Sequence, residues 1–372
     1  MTKSFEGRAR DLLARAGIEI DGSRPWDIQV HDSALYQRVM SAGSVGLGES
    51  YMDGWWDAAR LDQFFERVHR ARLETAVRRN AGLRFLILRA RLSNLQSARR
   101  AFEVGERHYD LGNDLFEAML DRRMVYTCGY WKCASTLDEA QEAKLELVCQ
   151  KIGLRPGMRV LDVGCGWGSF LKYAGERYGA KGVGITVSEE QQGLGQRLCA
   201  GLDVEIHVLD YRRLSGTFDR VVSLGMFEHV GYKNYGEFMK IIRGVLVPDG
   251  LFLLHTLGCD TSGTTPDPWI HRYIFPNGML PSIAQIGRAM EGRFVMEDWQ
   301  NFSADYDPTL MSWFSNFDQA WPTLRARYGE RFYRMWKYFL LAFAGAFRAR
   351  RNQLWQIVLS PRGVPGGYSS IR

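Results

Sequence analysis

A glycine-rich loop at residues 162–168, with the sequence DVGCGWG, is the segment whose residue types and spacing most clearly predict chemistry. It follows an apolar strand pattern at 159–163 and precedes a helical pattern at 169–178. Glycines let the backbone approach a ligand closely at the carboxyl end of a strand. A nicotinamide-type GxGxxG would place its third glycine at position 169, which is Ser169. The loop therefore predicts a site for a ligand other than a nicotinamide dinucleotide, with an ordinary glycine-rich turn as the alternative.

The spacing acid-x-Gly-x-Gly-x-Gly is typical of enzymes that use S-adenosylmethionine. This cofactor has no pyrophosphate but carries an amino acid and a sulfonium cation, so an acid and peptide dipoles suit it better than Lys or Arg. The predicted contacts within the loop are Asp162, Gly164, Cys165, Gly166 and Gly168.

Further cofactor contacts are expected at the ends of the next two strands. After the second strand, Thr186 stands where most such enzymes have an acid that holds the ribose, with Gln191 close behind it. After the third strand, Asp210 and Tyr211 are placed to meet the adenine. The missing acid favours a particular subfamily of these enzymes.

The elements that must position these residues form an alternating pattern of strands and helices. After a helical pattern at 137–151, buried-strand patterns fall at 159–163, 182–187, 204–209, 220–224 and 251–256. Such alternation predicts a parallel, doubly wound sheet. Two later runs, 294–300 and 354–359, suit the antiparallel edge that methyltransferase sheets carry. The predicted fold class is α/β: a Rossmann-like class I methyltransferase sheet with a small, mainly helical N-terminal domain.

Three domains are predicted along the chain: a small helical domain at 1–75, a basic helical linker at 76–100 and a catalytic domain at 101–372. The aromatic cluster around Tyr51 and Trp56 suits either the core of the small domain or contact with lipid. The run 67–100 is rich in Arg and apolar residues, which suits an anionic bilayer surface or a solvated linker helix.

Composition restricts the partners. The formal net charge of +6 and the pI near 9.0 indicate an anionic partner, either an acidic membrane surface or nucleic acid. The six Cys residues show no metal-like spacing and, with no signal peptide recognised, predict reduced thiols in a cytoplasmic protein. No stretch approaches the roughly 18 apolar residues of a membrane span, so any contact with the cell membrane is expected to be peripheral.

Several long motifs resemble those of cyclopropane-fatty-acid synthases and, more distantly, mycolic acid cyclopropane synthases. They are HYDLGNDLFEAML (108–120), MVYTCGYW (124–131), GMFEHVGYKNY (225–235), LLHT (253–256), PWIHRYIFPNGMLPS (268–282), DWQNFSADYDPTL (298–310) and AFRARRNQLWQ (346–356). The resemblance covers about residues 100–360. It implies transfer of a methylene group from S-adenosylmethionine to the cis double bond of unsaturated acyl chains in membrane phospholipids.

That chemistry sets the requirements for the site. An alkene attacks the sulfonium methyl, and the resulting carbocation closes to a cyclopropane only when a proton leaves the new methyl group. The resemblance implies that a bound bicarbonate ion is the base, held by Cys128, Glu228, His255 and Tyr306 with the backbone near Leu257. A direct carboxylate base, Glu228, is the alternative. The family pattern also implies that Tyr126 and Thr127 close over the cofactor.

An apolar channel with aromatic faces would stabilise the carbocation. Candidates for it, for which core packing is the alternative, are Tyr232, Trp269, Tyr273, Phe275, Trp313 and Phe314. Some family members carry a cysteine where this chain has Phe343, so no thiol is expected to be required there.

Two other reactions stay open. A fatty-acyl methyltransferase would stop at a methyl branch, and a nucleic-acid methyltransferase would explain the basic charge, although no (D/N/S)PP(Y/F) motif occurs. Nucleic acid is therefore not an expected partner. A homodimer is expected, because a second copy doubles the contacts with a bilayer surface.

Overall fold

The computed structural model describes residues 2–73 and 112–372. In chain order its helices are α1 (Thr2–Ala14), α2 (Ala34–Ala42), α3 (Ser44–Met52), α4 (Leu61–Arg70), α5 (Asn113–Met119), α6 (Leu137–Lys151), α7 (Ser169–Tyr178), α8 (Glu189–Leu198), α9 (Tyr235–Val245), α10 (Pro268–Tyr273), α11 (Ile283–Met290), α12 (Tyr306–Tyr328) and α13 (Glu330–Arg348). Its strands are β1 (Gln29–Val30), β2 (Trp56–Asp57), β3 (Arg159–Val163), β4 (Lys181–Thr186), β5 (Val204–Val208), β6 (Phe218–Leu224), β7 (Leu246–Cys259), β8 (Val295–Asn301) and β9 (Asn352–Ser360).

The described residues divide into two compact units. The first combines the residues up to position 73 with Thr264–Phe275 and Tyr306–Asn352, and the second contains the remaining residues from position 112 onward. The predicted linker at 76–100 lies outside the described residues. The predicted sequential boundaries do not coincide with the units, because two segments of the predicted catalytic domain belong to the first unit.

Close packing inside the first unit explains this difference. A Cβ atom on Gly345 of α13 would lie 2.5 Å from the backbone oxygen of Asp62 in α4, so the two helices meet at their backbones. Arg348 pairs with Asp62 and Asp307, each at 2.7 Å. The buried rings of Tyr51 and Trp56, 5.1 Å apart, belong to the core of the same unit. For these two rings the core alternative is the one observed.

The second unit is built on a seven-stranded sheet with the order β5-β4-β3-β6-β7-β9-β8. Strands β3 to β7 pair in parallel, whereas β8 pairs with β9 in the antiparallel sense. The predicted α/β sheet and its antiparallel edge are confirmed. The chain leaves β3 in one direction through β4 and β5, then returns to its other side as β6. Ligands of such sheets bind at this reversal point, beyond the carboxyl ends of the strands.

Most predicted strand limits agree with the structure to within one or two residues, and β7 is the largest exception. It begins at Leu246, which pairs with Phe218, although Pro248, Asp249 and Gly250 interrupt its apolar pattern. A register shift between the Phe218 and Arg220 pairings accommodates these residues. The six cysteines are free thiols, as predicted. Within the part of the chain that the structure describes, no helix has the length and apolar character needed to cross a membrane.

Candidate active site

A cavity in the second unit lies at the carboxyl ends of the central parallel strands. Its walls come from the loop after β3, the ends of β4 and β5, the turn after β6 and the segment before α6. The predicted cofactor contacts that line it are Tyr126, Thr127, Asp162, Gly164, Cys165, Gly166, Thr186, Gln191, Asp210 and Tyr211. Residues that spacing and the family resemblance singled out therefore line one cavity, and cofactor binding there stays a prediction.

Gly168 is the predicted loop contact that does not line the cavity. It caps the N-terminus of α7 with a φ of 77°. A Cβ atom there would lie 2.7 Å from Ile206 Cδ1 and 3.1 Å from Cys199 Sγ. Its glycine therefore serves the packing of α7 against β5 and the end of α8, rather than the cavity wall.

The glycine at position 164 is required by its conformation and by a close neighbour. Its φ is 87°, and a Cβ atom would lie 2.5 Å from Met226 Cβ in the turn after β6. The amides of Gly164 and Cys165 both donate to the carbonyl oxygen of Ile185, at 3.0 and 2.9 Å. The loop is thus attached to the end of β4 and pressed against the end of β6.

Asp162 supplies the acidic group of the cavity. Its side chain is buried, and its Oδ1 atom has no hydrogen-bond partner among the described residues. Burial raises the pKa of Asp162 to about 7, and the nearby Lys144 cation opposes that rise. A buried carboxylate oxygen without a partner fits a cationic or N–H-bearing ligand such as the amino acid part of S-adenosylmethionine.

Polar side chains without a net charge occupy the position of the missing ribose-binding acid. Thr186 Oγ1 donates to Gln191 Oε1 at 2.6 Å, and Ser188 Oγ accepts from the Gln191 backbone amide at 3.3 Å. These bonds hold the Gln191 side chain at the cavity. Because the Gln191 side-chain oxygen accepts from Thr186, the side-chain nitrogen of Gln191 is the atom that can donate a hydrogen bond to a ligand in the cavity.

Asp210 and Tyr211 line the next part of the wall, together with Arg212, which the sequence did not single out. The Arg212 guanidinium donates to Asp210 at 2.9 Å and lies over the Tyr211 ring at 4.5 Å. The Tyr211 hydroxyl is buried without a hydrogen-bond partner among the described residues. The expected adenine contact of this pair stays a prediction.

Lys144 of α6 is a second cavity residue that sequence reasoning missed. It is fully buried, and its Nζ donates to Thr127 Oγ1 at 2.7 Å. Gln141, one turn earlier, donates from Nε2 to the Thr127 carbonyl oxygen at 2.7 Å. Burial lowers the pKa of Lys144 to about 8. Helix α6 therefore holds the Tyr126–Thr127 segment at the cavity.

A sequence signal for this lysine does exist. Ala140, Lys144, Val148 and Lys151 follow one another at spacings of three to four, so they share the buried face of α6. Lysines on an apolar helical face are rarely fully buried unless paired. Two of them on one such face indicate a buried polar site.

Glu228 and His255, both implied by the resemblance, come from adjacent strands. His255 lies within β7, where it pairs with Leu224, the last residue of β6. Glu228 follows β6 and is buried, its Oε1 accepts from the Leu257 amide at 2.5 Å, and its Oε2 has no hydrogen-bond partner among the described residues. Burial raises the pKa of Glu228 to about 7. Burial holds the pKa of His255 well below its usual value, so its ring is neutral. The Leu257 amide thus supports Glu228.

Cys128 belongs to the segment that Lys144 and Gln141 hold. It is fully buried, with Sγ 3.1 Å from the Gly129 carbonyl oxygen. Gly225 lies between this segment and His255. The Gly225 amide donates to the His255 carbonyl oxygen at 2.9 Å. A Cβ atom on Gly225 would lie 2.8 Å from Thr127 Cγ2. The segment 127–128 therefore lies against the turn after β6 that leads to Glu228 and is hydrogen-bonded to His255.

Tyr306, the fourth residue implied by the resemblance, begins α12 in the first unit. Its ring lies 4.6 Å from Phe347 and 5.9 Å from Trp313 within that unit. Its part in the reaction stays a prediction.

The six aromatic residues proposed for an acyl channel are absent from the described cavity wall. Trp269 and Trp313 are buried in the first unit, where the Trp269 ring lies 4.5 Å from that of Tyr338. In that unit Tyr273 donates to Glu49 at 2.7 Å. The other candidates also make packing contacts: Phe275 with Phe339, Phe314 with Lys337, and Tyr232 with the core of the second unit. Their role in a channel stays a prediction.

The raised pKa of Asp162 predicts a pH dependence of cofactor binding. The ionised carboxylate attracts a cationic ligand and the protonated acid does not, so affinity is full above pH 7 and falls as the pH decreases through about 7. We expect a loss of up to about tenfold per pH unit below that point. Calorimetric titration with S-adenosylmethionine between pH 5.5 and 8.5 measures it.

The variant Asp162→Asn is the control, because it should bind weakly at every pH and show no slope. Asp121, whose pKa is raised to about 6 by burial, titrates in the same range. A slope that persists in Asp162→Asn would show that another group, such as Asp121, Lys144 or Glu228, controls the affinity, and it would contradict the prediction.

This chain is similar in sequence and structure to known proteins. The profile of the mycolic acid cyclopropane synthetase family matches residues 96–357. The cyclopropane-fatty-acyl-phospholipid synthase of Escherichia coli K12 is 55% identical over 364 residues, which are 98% of this chain and 95% of that protein. Sphingolipid C9-methyltransferase A of Emericella nidulans is 35% identical over 68% of this chain and 52% of that protein.

Among solved structures, a mycolic acid cyclopropane synthase complexed with SAH and CTAB superposes with a TM-score of 0.65. It is 32% identical and covers 69% of this chain and 97% of that chain. The sheet, the glycine-rich loop and these matches lead to one conclusion. The chain belongs to the cyclopropane synthase family of S-adenosylmethionine-dependent methyltransferases.

Proposed function

We propose that this enzyme transfers a methylene group from S-adenosylmethionine to the cis double bond of an unsaturated fatty acyl chain in a phospholipid, forming a cyclopropane ring. The observation that carries the proposal is the 55% identity over 98% of the chain with the Escherichia coli enzyme named for that reaction. The cavity supports it, because a buried acid and a loop with close backbone approach suit the methyl donor.

The second requirement of the reaction is removal of a proton from the transferred methyl group. We propose that a bicarbonate ion binds beside Cys128, Glu228 and His255 in the second unit. Once bound, bicarbonate supplies the base.

The residues present fit such an anion. Glu228, with its pKa raised to about 7, is partly protonated at neutral pH and then donates a hydrogen bond through its unpartnered Oε2. When ionised, the same group accepts a proton. His255 is neutral, so it does not add a positive charge that would bind the anion too tightly. When Glu228 is protonated, it likewise adds no negative charge that would repel the anion. Cys128 adds a weak S–H donor once its thiol turns away from the Gly129 carbonyl oxygen, to which it donates in the structure.

The acceptor is proposed to be phospholipid at an anionic bilayer surface, reached by peripheral contact from the cytoplasmic side. The formal net charge of +6 supports this proposal, because anionic headgroups attract basic proteins.

We further propose that the enzyme acts as a homodimer, since two copies double the contacts with the surface. Analytical sedimentation at micromolar concentration measures the oligomeric state. Flotation with anionic or zwitterionic vesicles measures whether the protein binds an anionic bilayer in preference to a neutral one.

A methyl-branched product is the second candidate. The similarity to a protein named as a sphingolipid methyltransferase favours it, because the two outcomes differ only in the fate of the carbocation. Loss of a proton closes the ring, whereas transfer of a hydride ion to the carbocation from a separate reductant leaves a methyl branch.

Deuterium distinguishes these products. Purified enzyme is incubated with S-adenosylmethionine carrying a CD₃ group, with vesicles of unsaturated phospholipid and with a hydride donor such as NADPH. The acyl chains are then analysed by mass spectrometry and proton NMR. A cyclopropane retains two deuterium atoms and loses the alkene signals, as we expect. A product that retains all three deuterium atoms would establish methyl transfer and refute ring formation.

A further inference from the structure

A series of buried polar side chains connects His255 of β7 to the antiparallel edge strands β9 and β8. Lys151, the last residue of α6, is fully buried, and its Nζ donates to Gln356 Oε1 at 2.8 Å and to Gln300 Oε1. Gln356 of β9 is also fully buried, and its Nε2 lies 3.3 Å from His255 Nδ1. These contacts join α6, β8, β9 and β7 inside the second unit.

The chemistry of these groups determines the direction of each hydrogen bond. Lys151 Nζ donates to the oxygens of both Gln356 and Gln300. Burial lowers the pKa of Lys151 to about 7, but the neutral amine still has two N–H bonds for these two oxygens, so the oxygen of the Gln356 amide faces Lys151 in either state. The amide nitrogen then faces His255, and because an amide nitrogen only donates, Nδ1 of His255 must accept. A neutral imidazole carries one proton, and burial keeps the His255 ring neutral by holding its pKa well below the usual value. The proton therefore resides on Nε2.

We propose that Lys151 and Gln356 are positioning residues that hold His255 in the Nε2–H tautomer, so that the ring presents a hydrogen-bond donor to the bound anion. This inference rests on the proposed function, in which bicarbonate binds beside His255. In the opposite tautomer, Nε2 would present a lone pair and repel the anion. The partner of the other ring nitrogen selects between these states, as it does for histidines that bind metals.

The variant Gln356→Glu tests the proposal with little change of shape. The new carboxylate still accepts from Lys151 but can only accept from His255, so it draws the histidine proton to Nδ1. We expect the bicarbonate concentration for half-maximal activity to rise at least tenfold. Affinity for S-adenosylhomocysteine should stay within twofold, because none of the three residues lines the cofactor cavity.

Gln300→Glu is the matched control. Gln300 accepts from the same Lys151 side chain, and within the described part of the chain no hydrogen bond joins the Gln300 side chain to the His255 ring. This variant also places a carboxylate against Lys151, but it should leave both the tautomer and the bicarbonate dependence as in the wild type. Lys151→Met is a second variant, in which the Gln356 amide is free to rotate and the histidine tautomer becomes mixed.

The tautomer is read directly from long-range ¹H–¹⁵N correlations of protein labelled with ¹⁵N-histidine, with the His255 signals assigned from the spectrum of His255→Asn. We expect a protonated Nε2 in the wild type and a protonated Nδ1 in Gln356→Glu. A wild-type ring protonated on Nδ1, or a Gln356→Glu variant with unchanged tautomer and bicarbonate dependence, would overturn the proposal. The spectra are independent of the product, so failure of the proposed function shows separately in the deuterium assay.

Discussion

Replacing Glu228 by glutamine is expected to lower kcat by roughly a hundred- to thousand-fold, the usual contribution of a group that accepts a proton during catalysis. Glutamine keeps the length of the side chain, and its amide oxygen can still accept from the Leu257 amide, as Glu228 Oε1 does at 2.5 Å. Its amide nitrogen can also donate to a bound anion. It cannot, however, take up the proton that bicarbonate removes from the methyl group and passes on.

A comparison with Glu228→Ala separates the two roles of this residue. The alanine variant removes both the hydrogen bond and the proton acceptor, so the bicarbonate concentration for half-maximal activity should rise as kcat falls. In Glu228→Gln only kcat should change. Steady-state kinetics at several bicarbonate concentrations measure both quantities.

Glu146→Gln is the matched control, because Glu146 accepts hydrogen bonds from Tyr173 and Tyr178 and lies outside the cavity wall. Its kcat should equal that of the wild type. Equal activity of Glu228→Gln and the wild type would contradict a role for Glu228 in proton removal.

Replacing Gly164 by alanine is expected to weaken S-adenosylmethionine binding by about 10- to 100-fold, which corresponds to a cost of about 1–3 kcal/mol for overpacking. The new methyl group would lie 2.5 Å from Met226 Cβ, an atom that cannot move without its backbone. The φ of 87° adds strain for any residue with a Cβ atom. The loop should therefore move away from β6 and from its two hydrogen bonds to Ile185.

Gly179→Ala is the control that distinguishes backbone strain at a positive φ from the steric clash with Met226. Gly179 also has a positive φ, 60°, but its nearest new contact would be Pro156 Cβ at 3.7 Å, an ordinary van der Waals distance. This variant should lose about 1 kcal/mol of stability in urea unfolding and keep its cofactor affinity. If calorimetric titration gives equal affinities for the two variants, the contact with Met226 is not what positions the loop.

Local patterns were sufficient for the central part of the fold. Strand β3 and helices α6 and α7 begin and end where their sequence patterns predicted, because each has a strong apolar period and clear end signals. Helix α6 even begins with a capping box, Thr136 with Glu139. Strand β7 was predicted too short, since its bulge opposite Phe218 depends on a partner strand.

The division of the chain could not be read from local patterns. Helix α13 belongs to the first unit because Gly345 lets this helix approach the backbone of Asp62, which lies 283 positions earlier in the sequence. A residue pattern reports which face of a helix is apolar and leaves open which distant element covers that face. The predicted boundaries at 75 and 100 therefore followed composition rather than packing.

The cofactor loop was determined by the sequence alone, since glycine spacing after a buried strand is a local property. The resemblance named Cys128, Glu228 and His255, but the tertiary structure decided how they are supported. Lys144 and Lys151 are buried and paired only because α6 packs against residues that are distant in sequence, such as Gln356, 205 positions from Lys151. Hydrogen bonds of this kind depend on where the chain returns to the same place, and that information exists only in the folded protein.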